Sequence, residues 1–81
     1  GFINNIGSYY LINEDYKTAL KYYGKALKKE PKDYTAIKNS AIAARRMKNP
    51  KLETKYLQML VKYGPENDAA AAKTRLMALG K

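Results

Sequence analysis

Ser8 and Ser40 are the chain's serines, and nothing in 81 residues can activate them: there is neither a histidine nor a cysteine. That removes the commonest general base, the commonest metal ligand and every thiolate. The seven acids do not compensate. Glu14, Asp15, Asp33, Glu66 and Asp68 fall at expected helix boundaries, where carboxylates cap or meet the positive end of the helix dipole. No phosphate loop or metal-ligand spacing occurs. The inventory therefore points to a non-catalytic protein with no cofactor. Sixteen lysines and arginines give a formal charge of +9, which favours acidic partners. Eight tyrosines beside them suggest stacking on nucleic-acid bases. Tyr10, Tyr16, Tyr23 and Tyr56, however, fall at packing positions, so nucleic acid is the less favoured partner and any such binding is expected to be weak and non-specific.

The elements that must position these groups are helices. Leu, Ile, Ala and Tyr dominate the apolar set and Gly and Pro are few, which argues for an all-α fold. Ile3, Ile6 and Tyr10 form the stripe of a first helix from about Phe2 to Ile12, with Gly7 inside it. A glycine there costs about 1 kcal/mol against alanine, so close approach of a neighbour is expected, with Ala19 as the partner. Asn13-Glu14-Asp15 makes a turn. A second helix, about Asp15 to Lys29, places Tyr16, Ala19, Leu20, Tyr23, Ala26 and Leu27 on one face and Lys17, Lys21, Lys25 and Lys28 on another, read as a solvated face. Pro31 stops it. Asp33 caps a third helix reaching about Met47. Asn49-Pro50 starts a fourth, which Gly64-Pro65 ends. A fifth runs from about Asp68 to Leu79. Apolar stretches are far shorter than the ~20 residues of a membrane span, and no targeting signal is visible. The segment reads as soluble, with its localisation open.

Ile3-x2-Ile6-Gly7-x2-Tyr10, then Ala19-x3-Tyr23, Ala26 and Pro31, resembles one tetratricopeptide repeat, with isoleucine in place of the usual tryptophan. The resemblance implies an α-α superhelix of antiparallel helix pairs, about five helices in all. Repeat one covers 1–33 and a degenerate repeat two covers 34–67. A shift of 34 carries Ile3 onto Ile37 and Gly7 onto Ala41, but also Ile6 onto Ser40, Tyr16 onto Pro50 and Ala19 onto Glu53. The same shift carries Asp33 onto Asn67, and residues 68–81 form a capping or truncated helix on which it brings Ala41 to Arg75. A bulky charge at Arg75 implies that no partner helix approaches there. Stacked repeats need about three units, so a larger parent protein or self-association is expected.

In this family the first helix of each repeat lines a concave groove. The resemblance thus points to Asn4, Ser8, Leu11 and Ile12, to Lys38, Ile42, Arg45 and Arg46, and to Ala72, Leu76 and Leu79. An apolar strip with a basic edge suits an acidic or acidic-hydrophobic protein segment. The family's carboxylate clamp has Lys-x2-Gly-Asn where this chain has Asn4-x2-Gly7-Ser8, so clamp recognition is not expected. Two alternatives remain: a basic binder of nucleic acid or an anionic surface, and a structural segment that docks on neighbouring repeats through Phe2 and Ile6.

Overall fold

The computed structural model describes residues 2–80 and is all-helical, with α1 at Phe2–Ile12, α2 at Tyr16–Lys29, α3 at Tyr34–Arg46, α4 at Pro50–Tyr63 and α5 at Glu66–Ala78. Short turns fold each helix back on the one before, and every sequential pair packs together. Caps fix the starts. Asp15 Oδ1 accepts from Thr18 N, Asn49 Oδ1 from Leu52 N, and Asp33 Oδ1 from both Thr35 N and Ala36 N. Each meets donors that the first helical turn leaves unsatisfied.

The ends are equally specific. After α1, Glu14 N donates to Leu11 O and Asp15 N to Tyr10 O; after α3, Lys48 N donates to Arg45 O and Asn49 N to Ala44 O. Both are Schellman ends, whose C′ residue is left-handed, and Glu14 and Lys48 have φ of 63° and 59°. The second turn therefore repeats the first bond for bond at an offset of 34 residues, although Ser40, Pro50 and Glu53 depart from the repeat pattern. Ser40 is harmless because its Oγ donates to Ala36 O at 2.7 Å, and Pro50 takes the first helical position, where no N–H is needed.

The offset then changes. Four residues, 30–33, connect α2 to α3, but only 64–65 connect α4 to α5. Helix α5 accordingly starts at Glu66, an offset of 32 from Tyr34, and not near Asp68 as the 34-residue shift implied. Pro65 occupies the cap position held by Asp33 and makes no side-chain cap. Burial follows the shorter offset: Ala72 falls where Ser40 is, and Leu76 where Ala44 is, each facing the interior.

Two clusters form the core. Ala19, Tyr23, Ala26 and Ala36 join the first three helices, with Ile3, Tyr10, Leu11 and Leu27 packed against them. Ile37, Ala41, Leu57, Leu60 and Ala72 join the last three. At Gly7 the nearest neighbour is the ring of Tyr23, one turn of α2 beyond Ala19: a Cβ there would lie 2.7–3.0 Å from three ring atoms. Of the remaining signature positions, Ile6 is half-buried and Pro31 is exposed in the α2–α3 turn. Helix α1 also touches α3, and Lys38 of α3 pairs with Asp68 of α5, so α1, α3 and α5 lie in one layer and α2 and α4 in the other. Among the described residues no helix is long and apolar enough to cross a membrane.

Candidate partner-binding cleft

A cleft of about 160 Å³ opens where α3, α4 and α5 meet. The second core cluster supplies its floor through Ala41, Leu57, Leu60 and Ala72, and Ile42 and Ala71 complete the apolar lining. Its polar rim is made by Lys38, Arg45, Glu53, Asp68 and Arg75. The charges there are mostly spent on each other. Lys38 Nζ lies 3.5 Å from Asp68 Oδ1. The guanidinium of Arg75 donates to both carboxylate oxygens of Glu53, Nε to Oε2 at 2.7 Å and Nη2 to Oε1 at 3.2 Å. Glu53 is almost wholly buried, with 3 % of its surface exposed. Its hydrogen bond and charge hold the Arg75 guanidinium above its ordinary pKa, partly offset by desolvation.

This pair corrects the expectation for Arg75. Its side chain reaches back to α4 because the two-residue shorter connection gives it the position of buried Ala43, not that of Ala41. Glu53 and Arg75 each break the repeat pattern, and they break it together. Opposite charges at two misfit positions were the signal in the sequence, but only the 32-residue offset makes them neighbours.

Arg45 forms no ion pair among the described residues. It borders the cleft and also, with Ile42, Arg46 and Lys48, an adjoining hollow of about 470 Å³. Lys38, Ile42, Arg45 and Arg46 are thus brought to one place. The other candidates are elsewhere. Asn4 is buried: its Nδ2 donates to Asp33 Oδ2 at 2.8 Å, tying α1 to the cap of α3, and its Oδ1 has no hydrogen-bond partner among the described residues. Ser8 is half-buried, with Oγ 3.0 Å from the hydroxyl of Tyr23. Leu11 packs on the first cluster, while Ile12 is 79 % exposed at the end of α1. Leu76 and Leu79 pack against the second cluster, because the shorter offset turns them inward. Only Ala72 of the α5 set reaches the cleft.

The groove expectation leaves out Ala41, Glu53, Leu57, Leu60, Asp68, Ala71 and Arg75 of the cleft lining: Glu53, Leu57 and Leu60 lie on α4, the second helix of its pair, and Asp68, Ala71 and Arg75 on α5, which the longer shift misplaces. Among the described residues no three carboxylates gather at metal-binding distances. A cleft of this size is below the ~300–1,000 Å³ of small-molecule sites and near the ~150 Å³ that accepts a benzene ring. It suits one inserted side chain.

Fold and cleft together define an all-α array of packed helix pairs with a small apolar notch and a basic margin. No family model matches the chain, and neither a curated protein nor a solved structure matches it.

Proposed function

We propose that this chain is a non-catalytic, tetratricopeptide-like interaction module that takes an acidic, apolar-anchored segment of a protein partner at the α3–α5 cleft. The observation that carries the reading is an apolar floor bordered by Arg45, a cation with no ion-pair partner among the described residues. An apolar side chain of the partner fills the notch and supplies most of the affinity. A carboxylate beside it meets Arg45 and Arg46, which speeds encounter and discriminates among partners. Glu53 does not repel such a ligand, because Arg75 already neutralises it. The two Schellman turns at a 34-residue offset support the resemblance to the repeat family.

The test uses a synthetic peptide of leucines flanked by aspartates. Arg45→Glu is expected to weaken its binding about tenfold and to flatten the salt dependence. Ala71→Phe, which fills the cleft mouth from an exposed position, should abolish binding without disturbing the fold. Lys25→Glu on the other layer should change little. Binding lost with Lys25→Glu but indifferent to Arg45→Glu and Ala71→Phe would place the site elsewhere.

A further inference from the structure

The outward surface of α2 and α4 plays no part in the cleft, yet it is the most strongly charged face of the molecule. Lys17, Lys21, Lys25 and Lys28 are exposed along α2, and Lys51, Lys55 and Lys62 along α4. They lie opposite the buried residues of each helix, Ala19, Tyr23 and Ala26 on α2 and Glu53, Leu57 and Leu60 on α4. Three of them recur at the 34-residue offset: Lys17 with Lys51, Lys21 with Lys55, and Lys28 with Lys62. Helix α2 contains no acid, and the one acid of α4, Glu53, is buried on Arg75. Among the described residues none of these seven lysines forms an ion pair.

We propose that this face docks on the phosphate backbone of a nucleic-acid duplex, without reading its sequence. The row from Lys17 to Lys28 spans ~16 Å at 1.5 Å per residue, a length over which a duplex presents about ten phosphates. Lysine ammonium groups hold phosphate as point charges, whereas bidentate base readout is the work of arginine. No arginine lies on α2 or α4.

Two competing partners fit less well. An anionic membrane would be gripped more firmly by inserted apolar side chains, but the exposed large hydrophobics Phe2, Tyr9, Ile12, Tyr34 and Met77 all belong to α1, α3 and α5. A single strand needs free aromatic faces for its bases. Here three of the rings each have a lysine over one face: Lys25 sits 4.9 Å over Tyr22, Lys55 5.6 Å over Tyr56, and Lys62 and Lys32 5.4 and 5.9 Å over Tyr63. Tyr22 also stacks on Tyr10 at 5.7 Å.

The experiment titrates the whole chain against short labelled duplexes of two unrelated sequences, a single strand, and anionic phospholipid vesicles over a range of salt. Both duplexes should bind alike, more tightly than the strand or the vesicles, and with affinity falling steeply as salt rises. Lys17→Glu/Lys21→Glu should weaken duplex binding at least tenfold at low salt. It should also reduce the slope of log affinity against log salt by about 2, since each phosphate contact contributes ~0.9. Arg45→Glu/Arg46→Glu changes the net charge equally, and is expected to cost far less. Equal losses from the two pairs would show that net charge and not this face is responsible, and would overturn the proposal. An unaffected lysine variant, or tighter binding to vesicles or to the single strand, would overturn it as well.

Discussion

Gly7 and Gly24 show how one residue type is fixed by contact in one place and by nothing visible in another. A methyl group at Gly7 would collide with a ring that has no room to retreat, since Tyr23 is fully buried and its hydroxyl is held by Ser8. Overpacking by Gly7→Ala costs about 1–3 kcal/mol, of which helix propensity returns about 1, so the variant is expected to be destabilised on balance. A Cβ at Gly24 would meet nothing within 4 Å, so Gly24→Ala should stabilise by about 1 kcal/mol through helix propensity. Thermal melts of the two variants should move in opposite directions.

The Glu53–Arg75 pair calls for a different comparison. Arg75→Met strands a buried carboxylate, so it should lower the melting temperature more than Glu53→Gln/Arg75→Met does. Tyr56 gives the alkaline limit: burial pushes its phenol above the ordinary value. The neutral form is thus favoured in the folded state. That stability is complete below the ordinary pKa of ~10 and is lost as pH rises through the raised value. Denaturation followed above about pH 10 should therefore show a shallower loss of stability for Tyr56→Phe than for the parent chain.

Among the elements, the helices and their turns were largely legible in the sequence, because local chemistry determines them. Asp33 and Asn49 were readable as caps, Pro50 as a first helical residue and Asn13-Glu14-Asp15 as a turn, and α1 has the bounds that its apolar stripe implies. Helix α5 was misplaced by two residues because a 34-residue shift was carried across a connection that had lost two. Neither Gly64 nor Pro65 announces that loss; only the packing of Ala72 and Leu76 does. The two-residue loss turns Leu76 and Leu79 onto the core, away from the groove that the 34-residue shift implies, and brings Arg75 onto Glu53 of α4. Asn4 failed for another reason, since a polar residue on a first helix reads as exposed until its bond to Asp33 is known.

The turns also yield a test at this scale. Lys48 carries the left-handed conformation that Gly80, with φ of 80°, adopts at the end of α5. A side chain there costs about 1–2 kcal/mol, of which glycine's greater unfolded-state freedom returns part. Lys48→Gly should then stabilise the chain by about 0.5–1 kcal/mol in chemical denaturation. Lys48→Val should destabilise it, because a β-branched residue tolerates positive φ least.

At the scale of the whole molecule the two layers divide the charge as well as the packing. Helices α1, α3 and α5 carry the exposed large apolar residues and all the arginines, with Lys38 and Lys73 beside them; α2 and α4 carry the row of seven outward lysines. The molecule measures 31 × 24 × 17 Å, so opposite surfaces stand farther apart than the Debye length of ~8 Å at physiological salt. Charges placed in the cleft are therefore screened from the lysine face. If both proposed surfaces exist, an acidic-hydrophobic peptide and a duplex should bind at once, with little coupling between them. At physiological salt a saturating peptide should leave duplex affinity nearly unchanged, and it should lower that affinity relative to the peptide-free chain only when the ionic strength is reduced until the screening length spans the fold. Competition at physiological salt would mean that one basic surface serves both ligands, and reciprocal loss with Arg45→Glu would locate that surface at the cleft.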